Sequence, residues 1–224
     1  MTYDTWEEKY AKGESLNRYP WDKVVSFVYQ NYPRSQPKSE INILELGFGS
    51  ACNLWFCARE GFNCSGVEWS ESVVKHARNW LQTDGLEADL RQGSFYPLDF
   101  ESNTFDIIID RASLTCVTYE DCLKSFKEVA RVMKKGGRFC FTPYSTQHTS
   151  CIEGCLQESG LISISSGTLI GVGDLKFYNE ADIRSISQQA GLKIIEMRHI
   201  EESYGDSKRG QHAEWFVVLG KDNE

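Results

Sequence analysis

A chain of 224 residues, 41% hydrophobic and 25% charged, can bury one sizeable core, and no Pro-, Gly- or Ser-rich linker, repeat or low-complexity stretch divides it. The net charge of −8 offers no basic face for phosphates, which argues against a nucleic-acid partner. No apolar run approaches the roughly 18 residues of a membrane span, and Met1-Thr2-Tyr3-Asp4-Thr5-Trp6 is neither basic nor apolar enough for a signal segment, so no membrane partner and a cytoplasmic location are expected. The eight cysteines then read as reduced thiols without the paired spacing of a zinc site; only Cys151 and Cys155 stand close enough to consider, and no metal is expected.

Thr5 and Glu8 have the spacing of a capping box, predicting a short helix that Gly13 ends. Pro20 is placed as the first residue of an amphipathic helix from Trp21 to about Gln30. Ile41 to Leu46 is a strand, Asn53 to Glu60 a helix stopped by Gly61, and Cys64 to Glu68 a second strand. Ser70 caps a helix reaching about Gln82, and a strand follows near Ala88 to Gln92. Phe105 to Asp110 is a continuous apolar run ending in an acid, as in a central strand buried on both faces. Thr118 and Asp121 cap the next helix, to about Lys134, and Gly136-Gly137 turns into a strand from Arg138 to Phe141.

Residues 143–176 break the alternation; rich in Ser, Thr and Gly, they read as an insertion over the site. The pattern resumes with a helix capped by Asn179 and stopped by Gly191, then strands Leu192 to His199 and Ala213 to Leu219. The expected architecture is α/β and Rossmann-like, in one domain: an N-terminal helical segment (1–39), a cofactor-binding core (40–142), the insertion (143–176), and a C-terminal helix and strand pair (177–224). Ligands of such sheets bind beyond the carboxyl ends of the strands, where Gly47, Glu68, Ser94 and Asp110 fall.

The unit from Ile41 to Glu68 fits an adenosine-containing cofactor. Gly47 and Gly49 let backbone approach the ligand, and Glu68 can accept hydrogen bonds from both ribose hydroxyls. A nicotinamide dinucleotide needs a third glycine where Cys52 stands, and gains nothing from the negative charge of Glu45. S-adenosylmethionine carries a sulfonium and an ammonium and no phosphate, so Glu45 suits it.

Through Glu45-Leu46-Gly47-Phe48-Gly49-Ser50-Ala51, Gly66-Val67-Glu68-Trp69-Ser70, Phe105-Asp106-Ile107-Ile108-Ile109-Asp110 and Val132-Met133-Lys134-Lys135-Gly136-Gly137, the chain resembles the class I S-adenosylmethionine-dependent methyltransferases. The likeness runs from about residue 40 to the end. It implies a mostly parallel seven-stranded sheet whose last strand is antiparallel, S-adenosylmethionine as cofactor and S-adenosylhomocysteine as product. Ala51 replaces the family's usual third glycine, and Ser94 stands where an acid commonly meets the adenine amino group, with Trp69 and Phe95 beside it. The resemblance also implies an N-terminal segment folded over the cofactor, with Tyr10 and Arg18 at its methionine carboxylate. Asn53 can offer an amide and a helix N-terminus to the same group.

Methyl transfer requires in-line approach in a site that excludes water, and a hydroxyl acceptor also benefits from a general base. Asp110 is the best-placed acid, set for the methionine end or the acceptor, with a strand-end capping role as the alternative. Arg111 can pair with Asp110 or bind an anion. His148 is the preferred base, with Tyr144 and Tyr178 shaping the acceptor pocket; His199 and His212 flank the last hairpin, and His76 is solvated. Asp110-Arg111-Ala112-Ser113 is not the Asp/Asn-Pro-Pro-aromatic motif of base-amine methyltransferases. Leu16-Asn17-Arg18-Tyr19-Pro20 and Asn53-Leu54-Trp55-Phe56 bear a likeness to bacterial methyltransferases associated with surface sugars. The expected acceptor is therefore a small polar molecule, sugar-like or another small metabolite, methylated at oxygen by a monomer or homodimer. A protein methyltransferase, a regulator that binds S-adenosyl ligands without turnover, and an NAD(P) oxidoreductase are the alternatives.

Overall fold

The computed structural model describes residues 2–205 and 208–221. Its centre is a strand run that alternates with helices. The elements in chain order are α1 (Thr2–Ala11), α2 (Asp22–Asn31), β1 (Asn42–Leu46), α3 (Cys52–Arg59), β2 (Asn63–Glu68), α4 (Glu71–Thr83), β3 (Asp89–Gln92), β4 (Phe105–Asp110), α5 (Tyr119–Val132), β5 (Met133–Phe141), α6 (Thr149–Ile152), β6 (Cys155–Leu156), β7 (Ile162–Ser163), α7 (Glu180–Gln189), β8 (Lys193–Ser203) and β9 (Gln211–Gly220). Seven strands form one sheet in the order β3-β2-β1-β4-β5-β9-β8. Strands β1 to β5 pair in parallel, and β9 runs antiparallel to both β5 and β8, as the resemblance implied.

The period-two geometry of the strands divides the core. Leu44, Leu46, Ile108, Phe139 and Phe141 pack on one face against Phe126, Val129, Ile183 and Ile186 of α5 and α7. Ile43, Ile107, Ile109 and Cys140 pack on the other, against α2, α3 and α4 through Phe27, Leu54, Val74 and Ala77. A strand covered on both faces must be apolar at every position, which is why Phe105–Asp110 shows no alternation. The register sets Leu46 opposite both Val67 and Asp110, Glu68 opposite Gln92, and Asp110 opposite Phe141. Gly47, Glu68 and Asp110 thus emerge along one edge, at the switch between β1 and β4.

Several local expectations change. Helix α1 begins at Thr2, so Thr5 lies inside it and caps nothing. Pro20 is not the first helical residue: Trp21 is the N-cap, held in extended backbone (ψ 131°) while its N–H donates to Asn53 Oδ1 at 3.0 Å. Helix α5 ends at Val132 and β5 starts at once, so Gly136-Gly137 lies within the strand, beside a register shift between Phe105 and Ile107. A Cβ on Gly137 would meet Met133 Cγ at 2.6 Å, which explains the glycine there.

The insertion is folded. Its β6–β7 hairpin pairs Cys155 with Ser163 and Leu156 with Ile162, a bridge from Ile162 to Leu175 joins the hairpin to the end of the insertion, and Leu169, Leu175 and Phe177 form a small core with Tyr144, Cys116 and Cys151. All eight cysteines are free thiols, and Cys155 is exposed.

Candidate functional site

A cavity of about 290 Å³ opens at the edge where Gly47 and Glu68 emerge. The glycine turn, α1, the segment before α2, the turn after β4 and the insertion all contribute to it. Its floor is the turn after β1. Gly47 (φ 63°), Gly49 (φ 51°) and Ala51 (φ 65°) are all left-handed, a conformation that glycine adopts freely and alanine only under strain. The space that side chains would need is already filled: a Cβ on Gly47 would lie 2.2 Å from Ser113 Cβ, and one on Gly49 would lie 3.0 Å from the Tyr10 hydroxyl. The N-cap of α3, Ala51, provides no side-chain cap, so the first turn of that helix keeps backbone donors for a ligand.

Two carboxylates line the cavity. Glu68, at the end of β2, accepts from the Gly49 N–H and the Ser70 N–H, both at 3.0 Å, and so ties the glycine turn to the start of α4. Burial raises its pKa against these hydrogen bonds. Glu45 is buried among apolar strands; Asn53 Nδ2 donates to its Oε1 at 2.7 Å, and its Oε2 has no partner. Burial, partly offset by Asn53 and reinforced by Asp110 and Glu68, pushes Glu45 up to about 8. A buried carboxyl oxygen without a partner is costly unless a donor completes it.

Arg111, which directly follows β4, also lines the cavity. Its guanidinium carbon sits 4.1 Å from the Trp21 ring centroid, Tyr144 is beside it, and its Nη2 is 3.7 Å from Glu214 Oε2. Glu214 is also in close contact with Lys23 Nζ, and His212 Nε2 lies 3.7 Å away. Burial alone would raise Glu214, but His212, Arg111 and Lys23 hold it down to about 2.

Of the residues expected at the cofactor, Tyr10, Glu45, Gly47, Gly49, Asn53, Glu68, Trp69, Phe95 and Arg111 line this cavity, while Arg18 and Ser94 do not. Arg18 is exposed; its neighbour Asn17, exposed as well, contributes to the lining, its backbone carbonyl accepting from Ser50 Oγ at 2.5 Å. Ser94 is exposed, and Phe95 takes the inward position. The Asn53 side chain is committed, donating to Glu45 and accepting from Trp21, so the amide expected for a carboxylate is already used.

Two of the expected catalytic residues are corrected. Asp110 is fully buried and outside the lining; the Ser113 hydroxyl lies against its Oδ1, and the Leu114 N–H donates to the same oxygen at 2.9 Å. It holds the turn after β4, and burial, opposed by those hydrogen bonds, raises it to about 6. Nor does it carry a hydrogen bond to Arg111, whose ion pair is with Glu214. His148 is the N-cap of α6: its Nδ1 accepts from the Ser150 N–H at 2.9 Å, and its Nε2 lies 3.0 Å from Thr168 Oγ1 and 3.1 Å from His212 Nδ1. Burial and His212 lower it to about 4, so it is neutral at pH 7 and faces the insertion. Tyr144 does line the cavity, whereas Tyr178 is buried in the core, His199 contacts Ser145 and Trp215, and His76 is exposed.

Sequence reasoning missed Glu214, Cys116, Val172 and Leu175. Glu214 carried a signal, an acid inside the apolar run Ala213 to Leu219; the other three are ordinary side chains, Val172 and Leu175 brought to the cavity by the insertion and Cys116 by the turn after β4.

The lining fits S-adenosylmethionine on its own chemistry. The unpartnered Glu45 oxygen suits an ammonium, Glu68 still has lone pairs for a ribose diol, and the aromatic rings of Trp6, Tyr10 and Trp69 suit a sulfonium and an adenine face. Comparison with known proteins agrees. The family described as methyltransferase domain matches residues 44–141. An uncharacterized methyltransferase, YcgJ of Bacillus subtilis, is 31% identical over 103 residues, 46% of this chain and 40% of that protein. A sarcosine/dimethylglycine N-methyltransferase of Aphanothece halophytica is 30% identical over 157 residues, 69% of this chain and 52% of that one. The chain thus spans about half the length of these curated relatives. In fold it resembles an S-adenosylmethionine-dependent methyltransferase of Methanosarcina mazei, with TM-score 0.72 at 18% identity over 88% of this chain and 98% of the other. A second, from Clostridium acetobutylicum, gives TM-score 0.68 at 16% identity over 99% and 92%. With the domain matched across β1 to β5 and the glycine turn, Glu45 and Glu68 gathered on one cavity, residues 44–141 form a methyltransferase domain of the class I type with S-adenosylmethionine as its cofactor.

Proposed function

We propose that this protein methylates a small polar acceptor, at oxygen. The observation that carries this reading is the part of the cavity lining where Tyr144 packs with Val172, Leu175 and Cys116 in the small core of the insertion and Arg111 stands beside Tyr144. A wall of that kind suits a small molecule with a polar group better than a peptide lying in an open groove. The cofactor supplies an electrophilic methyl group. The chain's own contribution is to bind, orient and exclude water. Glu68 and the left-handed turn fix the nucleoside end, Glu45 accepts a donor at the methionine end, and Val172 and Leu175 shield the acceptor. Tyr144 is held neutral by burial, despite the nearby Arg111 charge, so it serves as a hydrogen-bonding group that orients the acceptor.

The relative from Aphanothece halophytica bears a name that specifies nitrogen, and it supports a second reading in which the acceptor is a small amine. The test is S-adenosylhomocysteine release on a panel of sugars, hydroxy acids and small amines, with the methylated atom located by NMR. Turnover of a hydroxyl compound is expected; turnover only of amines selects the second reading, and turnover only of peptides rejects both. Eight free thiols, and the absence among described residues of a helix long and apolar enough to cross a membrane, support work in the cytoplasm.

A further inference from the structure

Arg111 is the one Lys or Arg among the described residues that line the cavity, which two carboxylates, Glu45 and Glu68, also line. Its surroundings prepare it for an anion. The Trp21 ring covers one face of the guanidinium, and its side chain is only 15% exposed. Glu214, its protein counter-ion, stands at 3.7 Å, beyond hydrogen-bond reach, and is in close contact with Lys23 instead. A guanidinium has five N–H donors in a planar fork that matches a carboxylate. Tyr144 is hydrogen-bonded to part of that fork, and the ion pair with Glu214 keeps the group charged and in place without a hydrogen bond of its own, so N–H donors remain for a ligand.

Arg111 is also joined to the site by a chain of contacts. Glu45 accepts from Asn53, Asn53 accepts from the backbone of Trp21, and Trp21 stacks on Arg111. Of the other groups expected at a carboxylate, Arg18 is exposed and the Asn53 amide is spent, while Tyr10 and the first turn of α3 offer only uncharged donors. We propose that Arg111 is the carboxylate-binding residue of this cavity, taking either the methionine carboxylate of the cofactor or a carboxylate carried by the acceptor. In the first case Glu45 and Arg111 bracket the two charges of one amino-acid group. In the second the acceptor is a small acid. The inference rests on the reading of the cavity as the methyltransferase site.

The test is calorimetry on wild type, Arg111→Met and Arg111→Lys with S-adenosylhomocysteine and with 5′-methylthioadenosine, which lacks the amino-acid end. The cofactor arm predicts that Arg111→Met weakens S-adenosylhomocysteine at least tenfold and leaves 5′-methylthioadenosine within twofold, with Arg111→Lys intermediate. The acceptor arm predicts unchanged affinity for both, while glycerate or N-methylglycine raises the melting temperature of the S-adenosylhomocysteine-loaded wild type and not of Arg111→Met, their amides having no effect. Unchanged S-adenosylhomocysteine affinity together with no Arg111-dependent shift by either acid overturns the inference. If Arg111→Met loses 5′-methylthioadenosine through misfolding, Arg111→Lys decides: equal loss of both ligands, or of neither without an acid-dependent shift, also overturns it. Wild type that binds neither nucleoside rejects the methyltransferase reading itself.

Discussion

Glu68 does two jobs at once: each carboxylate oxygen holds a backbone N–H, and the remaining lone pairs face the cavity. Its role is legible in sequence because an acid at the end of the second strand has few other reasons to be there. Glu68→Ala is expected to weaken S-adenosylhomocysteine by roughly 1.5 to 3 kcal/mol, as two hydrogen bonds are lost and the glycine turn loosens; unchanged affinity by calorimetry contradicts the assignment. Glu45 makes a different prediction, because burial holds it at about 8, above its unfolded value of 4.5. The folded protein therefore keeps a proton that the unfolded chain gives up, and stability falls as pH rises from 4.5 to 8, by roughly 3 kcal/mol at pH 7. Glu45→Gln removes that loss, so the ligand-free variant should be the more stable at pH 8 in urea titrations while binding ligand less well. An ammonium at the unpartnered oxygen favours the carboxylate, so binding at pH 7 should release a proton and its heat should vary with the buffer's ionisation enthalpy. A heat independent of buffer rules this out.

At the scale of elements, α1 and the insertion meet over the cavity, and each has a fastening. Glu7 of α1 accepts from Ser72 Oγ and lies against Ser70 Oγ at the start of α4, and those hydroxyls lower its pKa. Trp6 and Tyr10 are thereby held over the glycine turn. Glu7→Ala is expected to loosen α1 and raise the S-adenosylhomocysteine dissociation rate roughly 3- to 10-fold, in line with the loss of a helix-terminal hydrogen bond; a stopped-flow trace matching wild type disproves the fastening. On the insertion, His148 joins α6 to Thr168 and His212. Because folding lowers its pKa from 6.5 to about 4, its contribution is complete above pH 6.5 and is lost as pH falls toward 4. That amounts to about 2 to 3 kcal/mol, and His148→Asn, which keeps an acceptor for the Ser150 N–H, should flatten stability between pH 6.5 and 4.

Legibility in sequence followed the length and locality of each signal. The box from Asn179 to Asp182 caps α7, where sequence had named Asn179 alone, and Ser70 and Thr118 cap their helices through Val73 N and Asp121 N. The two-residue strands β6 and β7 are too short to have a period, so the insertion looked structureless although Leu169, Leu175 and Phe177 give it a core. Trp21 left its helix because of Asn53, 32 residues away, which no local pattern encodes.

Across the whole molecule, the parallel strands, the split core and the cavity at their shared edge were foreseeable, because strand–helix alternation and the glycine turn fix them. The cation in the cavity lining was not, since Arg111 acquires its setting from Trp21, Tyr144 and Glu214, drawn from three distant segments. The most direct measurement is a calorimetric titration of the folded protein with S-adenosylhomocysteine, with NADP as control. Micromolar binding of S-adenosylhomocysteine and none of NADP is the predicted result; binding of NADP, or of neither, would contradict the account of the cavity.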